Sequence, residues 1–255
     1  MNRRIFFTTT LAILLSVITA KAQSITSPNG KVMVTIELYQ GSPCYHVFYE
    51  GQEIIQRSAL GLKTNIGDFT QSLELKEIVK NEVNDTYQLR NIKQSCVDYE
   101  ATEAIATYTL KDKPETNVLD IIFRVSNRDV AFRYRILPQR DTKVCVVNSE
   151  ASGFKLPEGT TTFLCPQSRP MGGFARTSPS YETSYTLDDQ MGKNGWGEGY
   201  SFPCLFHLGD KGWALISETG VDGSYVASRL LNVTNGLYKI GFPQQGECNG
   251  WGSTS

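Results

Sequence analysis

The segment from Leu119 to Pro138, LDIIFRVSNRDVAFRYRILP, constrains the fold more than any other part of the chain. Leu119, Ile121, Phe123 and Val125 alternate with Asp120, Ile122, Arg124 and Ser126. Beyond Asn127-Arg128-Asp129, Phe132, Tyr134 and Ile136 alternate with Arg133 and Arg135. Successive side chains of a strand point to opposite faces, so a period of two on both sides of a short polar break predicts a β-hairpin. One face is apolar and ready for a core. The other carries Arg124, Arg133 and Arg135 and is expected to face solvent.

The same period recurs along the chain. Val32, Val34, Ile36 and Leu38 form one run; Tyr45, Val47 and Tyr49 form another, ending at Glu50-Gly51. Further strands are expected around Leu73, Leu75 and Ile78, at Tyr87-Gln88-Leu89, at Ala106 to Leu110, and in a last pair over residues 225–231 and 237–242. Trp213-Ala214-Leu215-Ile216, bounded by Lys211-Gly212 and Glu218, predicts a buried strand. No long amphipathic helix, repeat or low-complexity linker interrupts the pattern. Many short strands with turn residues between them predict an all-β fold, a β-sandwich. A domain of this size can bury a single sizeable core.

Residues 1–22 begin with Arg3 and Arg4, run apolar from Ile5 to Ala20 and end in Ala20-Lys21-Ala22. That layout predicts a secretory signal peptide cleaved before Gln23, and hence an exported, periplasmic protein. The apolar run is shorter than the about 20 residues a spanning helix needs. No cysteine follows the cleavage point to take a lipid, and no later segment is apolar enough to insert in a membrane. Losing Arg3, Arg4 and Lys21 takes the formal charge from −1 to −4. No basic patch or polybasic run points to nucleic acid or a lipid surface. The cysteines are Cys44, Cys96, Cys145, Cys165, Cys204 and Cys248, widely and irregularly spaced. Disulfides and buried free thiols both stay open, and the absence of C-x-x-C argues against zinc.

From Cys165 to Ser201 the chain turns glycine-rich and aromatic, with Met171-Gly172-Gly173 and Gly195-Trp196-Gly197-Glu198-Gly199. A loop this long inside a compact domain is usually functional. Phe174, Tyr181, Tyr185, Trp196 and Tyr200 surround Glu182. Aromatic faces with a carboxylate suit a polyhydroxyl ligand, although an isolated loop Glu more often faces solvent.

Six blocks, in order, resemble the N-terminal domain of glycoside hydrolase family 97, the Bacteroidetes α-glucosidase and α-galactosidase type. They are Ser27-Pro28-Asn29-Gly30-Lys31, Ser58-Ala59-Leu60-Gly61-Leu62, Asp129 to Tyr134, Tyr181-Glu182 with Tyr185-Thr186, Ser201 to Phe206, and Gly212 to Leu215 with Ile216-Ser217-Glu218. One departure is Arg128-Asp129 where the family usually has Asp-Gly in the hairpin turn; Asp tolerates a positive φ better than most residues. The resemblance implies a β-super-sandwich similar to galactose mutarotase over residues 23–255, packed on a catalytic (β/α)₈ barrel that this chain lacks. It implies further that the sandwich misses its last strand, that the piece alone is inactive, and that the catalytic carboxylates lie outside it.

The resemblance also implies that Glu182 reaches the barrel's active site as one ligand of a catalytic Ca²⁺. Calcium takes 6–8 oxygens, so the barrel would complete the shell around an oligosaccharide substrate. Glu218 is a second candidate, for substrate or for the domain interface, against the plainer expectation of a solvent-facing strand end. Two other classes stay open: a stand-alone carbohydrate-binding sandwich, and a mutarotase-like epimerase, which needs a His acid and a carboxylate base. For that role the chain has His46, expected to face solvent, and His207, expected to be packed.

Overall fold

The computed structural model describes residues 22–139 apart from 92 and 94, 144–167, 185–193, and 199–243 apart from 224, 227 and 235. In chain order the strands are β1 (Gln23–Thr26), β2 (Val32–Tyr39), β3 (Ser42–Tyr49), β4 (Gln52–Ala59), β5 (Leu62–Thr64), β6 (Gly67–Asp68), β7 (Leu73–Gln88), β8 (Cys96–Leu110) and β9 (Lys113–Ser126). They continue as β10 (Val130–Ile136), β11 (Val147–Glu150), β12 (Gly153–Lys155), β13 (Thr161–Pro166), β14 (Asp189–Gln190), β15 (Tyr200–His207), β16 (Trp213–Ile216), β17 (Arg229–Thr234) and β18 (Leu237–Gly241). The described residues thus form the all-β sandwich expected, and none of their helices is long and apolar enough to cross a membrane.

A large 11-stranded sheet runs β1-β2-β3-β4-β12-β18-β17-β15-β13-β14, with β16 added beside β15. A four-stranded sheet, β10-β9-β8-β7, packs across its first half, and β11-β5-β6 form a small third sheet. Each sheet has an apolar face that must be covered, and facing the two together covers both. Val34 and Ile36 of β2 and Ile121 and Phe123 of β9 are fully buried in that seam. Aromatic rings tie the layers: Tyr45 of β3 lies 5.9 Å from Phe123 and 5.5 Å from Phe132 of β10. At the other end Tyr238 packs on Tyr200 and Phe206, at 6.1 and 5.0 Å.

The Leu119–Pro138 hairpin forms in the register its alternation demands, with Phe123 opposite Phe132 and Ile121 opposite Tyr134. Its turn departs from expectation. Asp129 is not among the residues of positive φ; instead the Ser126 hydroxyl accepts the backbone N–H groups of Arg128 and Asp129, at 3.1 and 3.0 Å. Arg124, Arg133 and Arg135 are exposed as expected, yet Asp120, opposite Arg135 on the same face, is buried.

Trp213–Ile216 is a strand but not a buried one. β16 pairs with β15 and lies off the main path of the sheet, so Trp213 and Leu215 point outward and are exposed, while Ile216 reaches the core. The described cysteines, Cys44, Cys96, Cys145, Cys165 and Cys204, are free thiols. Burial pushes the Cys204 thiol up to about 12 and raises that of Cys44, which keeps both protonated and inert.

Candidate functional site

The long loop leaves and re-enters through paired strands. Cys165 stands opposite Ser201 and Pro166 opposite Tyr200, and the Gln167 N–H donates to the Gly199 carbonyl at 2.9 Å. The loop is therefore anchored at its stem. Gln167 Oε1 and Ser201 Oγ are buried there without a hydrogen-bond partner among the described residues. Glu182 lies outside the described residues, as do Phe174, Tyr181 and Trp196. Tyr185, within the described part, packs on Phe163 at 5.4 Å.

Glu218 follows β16 and is exposed, with the Ser228 hydroxyl donating to its Oε1. Its charge is felt by Glu150, at the end of β11. Burial chiefly holds the Glu150 carboxyl above the usual range; the nearby Ser152 hydroxyl acts in the opposite direction, and the Glu218 charge adds a smaller upward push. The Gly61 N–H donates to Tyr134 Oη at 2.9 Å, and Tyr134 Oη lies 2.6 Å from Ser152 Oγ. Gly61 itself has φ 124, and a Cβ there would collide with the Phe69 carbonyl. The Ser58 to Leu62 block thus needs its glycine for backbone reasons and then presents that glycine's N–H to Tyr134 Oη.

Glu150 was not singled out in the sequence, because residues 139–150 show no alternation. Its burial comes from pairing with Leu62 of β5, a distant partner that no local signal reveals.

The histidines are placed differently from expectation. His46 is half-buried rather than solvent-facing: Nδ1 lies 2.7 Å from Glu53 Oε1 and Nε2 lies 3.3 Å from Glu37 Oε1. Both ring nitrogens are engaged, which leaves neither for a sugar ring oxygen. His207 is not packed in the core but lies partly exposed, stacked on Trp213 and 3.0 Å from Asp188 Oδ1.

Among the described residues no group of three or more His, Cys, Asp and Glu could hold a metal ion. Glu150 and Glu218 make a pair of carboxylates and no more, so any cation held here would need oxygens from elsewhere.

The family profile of the glycosyl-hydrolase 97 N-terminal domain matches residues 25–251. The crystal structure of a β-arabinopyranosidase is 42% identical and superposes with a TM-score of 0.85, over 91% of this chain and 37% of that one. A probable retaining α-galactosidase of Streptomyces bingchenggensis (strain BCW-1) is 27% identical over 91% of this chain and 36% of its own length. A family 97 enzyme from Pseudoalteromonas sp. strain K8, solved with acarbose, shares the fold at 20% identity and a TM-score of 0.69, over 87% of this chain and 32% of that one. The chain spans about a third of the length of these relatives. With an all-β sandwich in place and the profile covering nearly the whole of it, the chain belongs to the glycosyl-hydrolase 97 N-terminal family.

Proposed function

We propose that this chain is the N-terminal domain of an exported, periplasmic glycoside hydrolase that cleaves α-linked galactosides or glucosides in oligosaccharides. The carrying observation is the 42% identity and TM-score of 0.85 to a β-arabinopyranosidase. A β-L-arabinopyranoside has the ring configuration of an α-D-galactopyranoside without its C6 hydroxymethyl group. That relative and the α-galactosidase thus favour galactose-type sugars over glucose-type ones.

In this proposal the catalytic carboxylates belong to a barrel domain outside the chain, and Glu182 is this domain's ligand to a shared Ca²⁺. Bound there, the cation would polarise the leaving group. The chain's own part is to hold the loop that carries Glu182 at its β13–β15 stem.

Two proteins test the proposal: the chain itself, and the longer polypeptide encoded at its locus. The longer form is expected to hydrolyse aryl α-galactosides and β-L-arabinopyranosides faster than aryl α-glucosides, and to lose activity when calcium is chelated. The chain by itself is expected to be inactive on all three. Calcium-dependent turnover by the pure monomeric chain, or a longer form inactive on every glycoside, overturns the proposal. Mass spectrometry of exported protein should find Gln23 at the mature N-terminus, and a retained Met1 rejects export by cleavage.

A further inference from the structure

A transverse row of side chains crosses three strands on the outer face of the large sheet. Thr161 of β13 stands opposite His207 of β15, and His207 opposite Trp213 of β16. Asp188, just before β14, closes over the row. Its Oδ1 accepts from Thr161 Oγ1 at 2.7 Å and lies 3.0 Å from His207 Nδ1. Asp188 does this from φ 47, a left-handed conformation that few non-glycine residues adopt. The imidazole lies flat on the indole, with centroids 4.1 Å apart and planes at 11°.

Trp213 is nevertheless 56% exposed. His207 covers one face of its ring, and beyond the other face lies the sheet edge, where no described strand follows β16. Leu215, next on the same side of β16, is 64% exposed and prolongs the apolar strip. The stacked partner already restricts the indole, so a ligand need not order it. Both described hydrogen bonds to Asp188 fall on Oδ1, and its side chain is 60% exposed, which turns Oδ2 to solvent. A flat ring with a negative face attracts the positively polarised C–H bonds of a pyranose, and a carboxylate oxygen beside it takes a hydroxyl hydrogen bond.

We propose that Trp213, braced by His207 and Asp188, is a saccharide platform that stacks a pyranose ring on its open indole face while Asp188 accepts a hydroxyl hydrogen bond. The choice of ligand rests on the glycosidase reading above. The test is a titration of the full chain with raffinose and with panose, followed by the indole N–H signals of Trp196, Trp213 and Trp251 in ¹⁵N-labelled protein. The Trp213 signal is expected to move saturably with at least one of the two sugars. Trp213→Ala should abolish saturation, and Asp188→Asn should weaken it about tenfold, with both variants melting as the parent does. A Trp213 signal that stays still while Trp196 or Trp251 moves overturns the platform and leaves the glycosidase proposal standing. So does unchanged affinity in Trp213→Ala. If Trp213 is shielded from acrylamide in the longer polypeptide without any sugar, the face docks protein and the platform is wrong. Hydrolysis by the longer polypeptide judges the glycosidase proposal separately.

Discussion

Glu150 is drawn in opposite directions by its surroundings, and the balance makes a pH-dependent prediction. Burial and the neighbouring Glu218 raise its proton affinity above the ordinary 4.5, against the Ser152 hydroxyl. A carboxyl whose folded pKa is raised adds stability that is fully present below the ordinary value and is lost as pH rises through the raised one. Glu150→Gln keeps the shape of the side chain and removes the titration. Urea midpoints of the two proteins should converge below pH 4.5 and separate in the variant's favour above it; parallel curves across that range would refute the assignment. In the longer polypeptide, Glu182→Gln should lower calcium affinity and kcat together with the sandwich intact, and overlapping calcium titrations for variant and parent would remove the ligand role. Legibility at this scale was uneven. Glu182 was named from a resemblance between loop blocks, whereas the setting of His46 depends on Glu37 and Glu53, which come from the strands on either side and are joined to it only by pairing.

Elements were legible wherever one face met the core and the other met water. The β9–β10 hairpin is such a case, and two of the three arginines on its outer face now separate. Arg135 pairs at 2.6 Å with Asp120, whose side chain is only 3% exposed, while Arg124 pairs with Glu103 nearer the surface. Arg135→Ala would leave a buried carboxylate with the Thr107 hydroxyl as its described donor, and should cost about 2–3 kcal/mol. Arg124→Ala should cost no more than about 1 kcal/mol. Equal urea midpoints for the two variants would contradict this account. Elsewhere the local pattern misled. β7 and β8 are long strands of which only fragments were visible, because β9 stops pairing with β8 at Ala101 and the outer part of the ribbon has no core face to mark it. Trp213 to Ile216 looked buried because it is apolar, but burial is set by neighbours, and among the described residues β16 has one neighbouring strand.

Strand order lay beyond any local pattern, since it is fixed by pairings between remote segments. Gln56 of β4 waits for Lys155 of β12, and β18 enters between β12 and β17. Removing β18 would bare the edges of both neighbours and strip the fully buried Tyr238 from its ring contacts with Tyr200 and Phe206. A chain stopped before Leu237 should therefore be insoluble or lack the near-ultraviolet dichroism of packed aromatic rings; a soluble, cooperatively melting product would show that β18 is dispensable. The position of β18 also sets a timetable. A chain made or threaded across a membrane N-terminus first cannot complete its main sheet until Gly241 has emerged, so β12 and β17 must wait with open edges. Closure comes late, and until then the waiting strands stay open to wrong pairing.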